Sequence, residues 1–274
     1  GMNFEFRDTI SLEVLKNYHS RVITCQFLDY GTIKDEFAPG NLGNWKEYVR
    51  MILYTGAKYV LRSIANNVWV PTITERDVFQ KEYKACIDFA HSIDPDIIFE
   101  ACVFETAHPA FDELEIPKWV FDAFELPYEK RNFRHKDMFY RDGHYSTSWD
   151  GFYGVPDVTQ LETQMWFFYR AILLLECGFE ALHMGYMPAM SDIDSKQDWI
   201  CYRKVFDLIR KHAKKHARRG MVLLNAHSHG FVTSDGVSLL DFNAWSVNAA
   251  APEGSVPHAP TEDNPQEIEI RKGF

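Results

Sequence analysis

Along the chain, short apolar runs alternate with longer segments in which apolar residues recur at helical spacing, the pattern of parallel strands joined by amphipathic helices. The first strand is expected over 21–29 (RVITCQFLD), followed by a loop containing glycine and proline and a helix over 44–55. The second strand is expected over 58–66 (KYVLRSIAN). Thr74 then caps a helix reaching residue 93, with Glu75 and Asp77 in its first turn. Asp94-Pro95 stops that helix, and 96–105 (DIIFEACVFE) reads as the third strand.

Residues 106–158 break this rhythm and read as a long loop or insertion. They carry a short helix over 118–124, and 137–149 (DMFYRDGHYSTSW) is expected to hold a fourth strand. A helix over 159–176 ends at Gly178, and another over 198–219 ends at Gly220. Further strands are expected over 179–187, 221–227, 238–243 and 267–272. With eight strands in 274 residues, close to the roughly 250 typical of such folds, the expected architecture is α/β. It is a (β/α)8 TIM-type barrel, a single domain spanning 1–274. Its last third is expected to be irregular, because no helix separates the sixth and seventh strands and 249–266 is proline-rich.

Strand side chains alternate between two faces, and in a barrel the face toward the helices should be apolar. Ile97, Phe99, Ala101 and Val103 form such a face, which turns Glu100 and Cys102 inward. The same reasoning points His183 and Gly185 inward from the fifth strand, Asn225 and His227 from the sixth, and Asp241 and Asn243 from the seventh. It adds Gln26 from the first strand and Arg62 and Asn66 from the second. Burying so many polar groups is costly unless they pair or meet a ligand, so their convergence marks the expected site.

Composition narrows the field. The balance of 29 Lys+Arg against 39 Asp+Glu gives a net charge of −10, which argues against a nucleic-acid partner. The basic cluster Arg210, Lys211, Lys214, Lys215, Arg218, Arg219 closes a helix, where cations suit the dipole and solvent. Five cysteines without a CxxC pair read as reduced thiols. No apolar run reaches the ~18 residues of a membrane span. Gly1 before Met2 reads as a scar of tag removal; with Met2 as the natural start, a cytoplasmic location is expected.

Two carboxylates facing each other across a sugar suit glycoside hydrolysis, one protonating the leaving oxygen and the other attacking or activating water. Glu100 or Glu105 is expected to be the acid/base, with Asp241 as its partner; Glu100 and Arg62 read equally well as a structural ion pair. Gln26, Arg62, Asn66, His183, Asn225, His227 and Asn243 would bind hydroxyls, and Trp149 and Tyr186 would stack on the sugar. This reading calls for no cofactor. A second takes His183, His227, His229 and Asp241 as the metal ligands of a sugar isomerase or hydrolase. A third is a sugar-binding barrel without catalysis. A nucleophile elbow, a phosphate-binding glycine loop and a dinucleotide fingerprint are all missing, which disfavours serine hydrolases, kinases and Rossmann dehydrogenases.

Between Trp149 and His227 the chain runs through SWDGFYGVPD, LETQMWFFYRAILLLECGFEALHMGYM, KHARRG and MVLLNAHSHG. This third of the chain resembles a group of bacterial proteins described as glycoside hydrolases of barrel fold. The resemblance implies a (β/α)8 barrel acting on glycosides and carries over no catalytic residues. The Asn-Glu pair that closes the fourth strand of many retaining glycosidases does not occur here.

Overall fold

In the computed structural model the described residues are 1–28, 45–64, 76–103, 105–149, 151, 153–228, 230–244, 247–250 and 269–272. Six strands form one sheet: β1 (Val22–Thr24), β2 (Tyr59–Ile64), β3 (Ile98–Cys102), β4 (Ala181–His183), β5 (Leu223–Ala226) and β6 (Phe242–Asn243). They lie side by side in chain order, every pair parallel, and the sheet curls into a half-barrel. The helices among the described residues are α1 (Leu12–His19), α2 (Trp45–Tyr54), α3 (Arg76–Ile93), α4 (Lys118–Ala123), α5 (Leu161–Glu176), α6 (Met187–Met190) and α7 (Ile200–His216).

The fold is therefore α/β, but it is not the closed eight-stranded barrel expected from the sequence. Two further strands, β7 (Val247–Ala250) and β8 (Glu269–Lys272), pair antiparallel with each other outside the sheet. Parallel strands need a crossover of a dozen or more residues, usually a helix. After β5 the described chain instead makes a turn closed by the Val232–Ser238 bridge, and β6 is two residues long. Residues 137–149 hold no strand either. They form a 3-10 turn at His135–Met138 and a series of tight turns, because Asp142-Gly143 and the left-handed Tyr145 prevent extended pairing.

Helix α1, absent from the sequence reading, explains how an open sheet buries its inner face. Ser11 caps it through the Val14 N–H (3.2 Å), and Val14 and Tyr18 project from it. These two pack against Tyr59, Ile98, Ala181 and Leu223, the first residues of β2 to β5. The Tyr18 hydroxyl accepts from Arg219 Nη1 (2.7 Å) and lies 2.7 Å from the Asp96 carbonyl. Burial pushes that phenol up to about 12 despite the opposing guanidinium. Arg218 and Arg219 thus leave the solvated basic cluster: Arg218 binds buried Glu180 at 2.9 Å, and Arg219 lies 3.5 Å from it. α1 plugs the N-terminal end of the concave face, leaving polar residues to fill the other end.

The convex face carries the apolar rows expected of it. Val60, Phe99, Ala101, Leu182, Leu224 and Ala226 pack on the helices in the main core, with Trp166, Phe167, Phe168 and Tyr169 of α5 buried there as expected. The segment between β3 and α5 folds into a small lobe. Phe111 stacks on Trp166 (3.8 Å), and Arg131 binds Glu162 of α5 through two 2.9 Å hydrogen bonds. All five cysteines are free thiols. No helix among the described residues is long and apolar enough to cross a membrane.

Candidate functional site

At the C-terminal ends of the central strands, the concave face holds a buried polar network centred on Glu100 of β3. Its carboxylate accepts from the Tyr59 hydroxyl (2.7 Å), Asn225 Nδ2 (2.6 Å) and the Arg62 backbone N–H (3.2 Å). The Asn225 Oδ1 in turn lies 2.6 Å from His183 Nδ1. The amide donates to Glu100, so its oxygen must be the acceptor and His183 the donor through Nδ1. The His183 ring meets the His227 ring edge to face, with centroids 4.2 Å apart. Glu100, His183 and Asn225 are all fully buried.

The β2 backbone is deformed to complete this network. Pairing with β3 runs Tyr59↔Ile98, Val60↔Phe99 and then jumps to Ile64↔Ala101, so β2 bulges by two residues. Arg62 lies in the bulge at φ +53, a left-handed conformation that costs a non-glycine residue about 1 kcal/mol or more. The strain turns its N–H onto Glu100. Strand alternation was expected to send the Arg62 side chain inward; what reaches Glu100 is its backbone N–H, through a bulge that alternation does not reveal.

Burial sets the protonation states. It raises Glu100 from 4.5 to about 7, against the opposing bonds from Tyr59, Asn225 and Arg62. His183 falls from 6.5 to about 3, through burial first and then the charges of His227 and Arg62. His227 is lowered by burial and by Arg62. A carboxyl whose folded pKa is raised stabilises the fold most below its unfolded value and loses that contribution as pH rises through the folded value. Wild-type stability should therefore carry a Glu100 component that declines between about pH 4.5 and about pH 7. Glu100→Gln should lack that decline, closing on wild type by about 3 kcal/mol over the window in pH-resolved urea denaturation. Parallel curves for the two proteins would contradict the assignment.

Glu105 stands just beyond β3, partly exposed, as the carboxylate nearer to solvent. Its Oε2 accepts from the Tyr186 N–H at 3.0 Å, and its carbonyl accepts from Trp149 Nε1 at 3.1 Å. Gly185, at φ +72, lets it sit there: a Cβ at that position would be 1.8 Å from Glu105 Oε2. Trp149 and Tyr186 are both substantially exposed; the first is tied to the Glu105 carbonyl through its indole N–H and the second to the Glu105 carboxylate through its backbone N–H.

Other expected residues fall elsewhere. Asp241 does not face Glu100 across the site. Its Oδ2 accepts from the Leu224 N–H (2.7 Å) and lies 3.5 Å from Arg210 Nη2 of α7. It supplies the acceptor a strand carbonyl would offer one residue before β6 begins. The alternation is inverted there: Phe242 points inward, 5.9 Å from Tyr59, and Leu239 and Leu240 both join the outer core. Asp241→Ala should cost about 1.5–3 kcal/mol in denaturation while leaving any turnover unchanged. Gln26 is exposed just past β1 and Asn243 is exposed on β6. Asn66 and His229 lie outside the described residues. Among the described residues no group of three His, Cys, Asp or Glu is arranged to hold a metal ion, and Asp241 is turned away from the two histidines.

Sequence reasoning missed Tyr59, whose ring fills the inner core while its hydroxyl reaches Glu100; an aromatic opening an apolar strand carries no signal of that second role. It also missed the buried hydroxyls of Ser228 and Tyr202, which have no hydrogen-bond partner among the described residues. A groove of about 550 Å3 between α4 and α7, walled by Lys204, Lys211 and Lys215, shares no residue with the network. No protein-family model matches the chain, and no curated protein matches its sequence.

Proposed function

We propose that the chain acts on a carbohydrate as a glycosidase, with Glu105 as the carboxylate that meets the sugar and Glu100 as the buried second carboxyl beneath it. The observation that carries this reading is the construction around Glu105. A backbone N–H fixes its carboxylate, and its carbonyl binds the indole of Trp149. Flat aromatic faces beside fixed polar groups are what a pyranose or furanose ring offers its apolar face to. Glu105 in its acid form donates its proton to the glycosidic oxygen as the bond to the anomeric carbon breaks; water takes that carbon, and the proton the water releases returns Glu105 to its acid form. His227, neutral at neutral pH, binds a hydroxyl through whichever nitrogen does not face the Ala244 carbonyl. Glu100 lies too deep to touch a ring directly. Held near neutrality, it sets the orientation of Asn225 and, through it, of the two imidazoles.

That depth also favours a second reading, a carbohydrate-binding site without hydrolysis, because a two-carboxylate mechanism needs both groups at the scissile bond. A panel of aryl glycosides separates the two. The glycosidase reading expects release of the aryl group from at least one member, abolished by Glu105→Gln. Binding of the sugars with no release from any member would leave only the second reading. The metal-dependent alternative loses Asp241 from its ligand set.

A further inference from the structure

We infer that His144 is a positioning residue for the rim of this site, a proton-dependent clasp between the segment that carries Trp149 and the segment that follows Tyr186. The inference rests on the rim proposed above and deepens it. His144 Nδ1 bonds the Asp142 carboxylate of its own loop, and Nε2 lies 3.1 Å from Asp192 Oδ2, beyond α6. A neutral imidazole has one N–H, so it can donate to only one carboxylate; both bonds exist only in the imidazolium. Losing the proton removes a donor and sets a lone pair against a carboxylate oxygen.

The surroundings set this link apart as the one that a single proton completes. Tyr140 stacks on the His144 ring at 3.9 Å and Tyr145 meets it edge-on at 4.8 Å. Tyr140 ties the base of the loop to the same opposing segment, accepting from the Asp192 N–H (3.1 Å) and donating to the Ala189 carbonyl (2.8 Å). Burial pushes the Tyr140 phenol above its ordinary value, so that anchor persists at every pH of interest. The Asp142 bond and then the Asp192 bond raise His144 above 6.5. The clasp is therefore complete below the ordinary histidine value and is lost as pH rises through the raised one. Beyond Tyr140 the loop leads directly to Trp149, which, like Tyr186, is hydrogen-bonded to Glu105.

Acrylamide quenching of Trp149, taken as the difference between wild type and Trp149→Phe, tests this without any substrate. From about pH 5 to about pH 9 the quenching constant is expected to rise about twofold, tracking the His144 titration followed by NMR. In His144→Gln and in Asp192→Asn it should be high and independent of pH. Quenching in wild type that does not change with pH, or the same pH-dependent rise in both variants, would overturn the clasp. Because these readouts need no sugar, the clasp and the carbohydrate reading can fail separately. If glycosides are cleaved, His144→Gln should raise KM with little change in kcat at low pH.

Discussion

Glu100→Ala is expected to lower the stability of the protein by about 3–5 kcal/mol, the largest effect of any single polar substitution in the concave face. The substitution removes the common acceptor of Tyr59 Oη, Asn225 Nδ2 and the Arg62 N–H in a place water does not reach. Each stranded buried donor costs about 1–3 kcal/mol, and partial relaxation keeps the total below their sum. The strained Arg62 backbone also loses the bond that holds it at φ +53, so part of the penalty returns as strain is released. Glu100→Gln keeps an acceptor for the tyrosine and the asparagine, and at neutral pH it should cost far less. Urea denaturation of both variants checks this; a loss under about 1 kcal/mol in Glu100→Ala would show that the network does not hold the strand ends together.

The second large effect is kinetic. Glu105→Gln is expected to reduce kcat on a cleaved glycoside by about 10²–10⁴-fold, the range for removal of a positioned acid or base. Gly185→Ala should approach the same loss with the carboxyl still in the chain. An added Cβ would sit 1.8 Å from Glu105 Oε2, at a backbone conformation of φ +72 that a side chain rarely adopts. The carboxylate would have to leave the Tyr186 N–H, and a group displaced by even an ångström loses much of its effect. Rates for the two variants, with Asp241→Asn at the parental rate, are the expected pattern. Full activity in Gly185→Ala would mean that the position of Glu105 is irrelevant.

The inner face of β3, β4 and β5 was legible because each strand sets an unbroken apolar row against the helices, which leaves its polar residues one direction to point. Glu100, His183, Asn225 and His227 were found that way. The same logic failed at β6, where Leu239 and Leu240 are consecutive, and both faces look equally apolar until the backbone settles which way Phe242 turns. It misplaced Asp241 for that reason. Barrel closure was inferred by adding strands, and addition cannot reveal that, among the described residues, β7 and β8 pair with each other and not with the sheet. Ser11 before Leu12, Val14, Leu15 and Tyr18 was a usable signal for α1. The β2 bulge left none, since Arg62 is conformationally unremarkable as a letter in a strand.

The central claim is that the buried network and the aromatic rim face one shared carbohydrate site. NMR titration of the protein with saccharides, following the Trp149 indole N–H and the His227 imidazole together, tests it most directly. The account predicts that a binding saccharide shifts both resonances along a single saturation curve. A saccharide that binds or is turned over while neither resonance moves would contradict it.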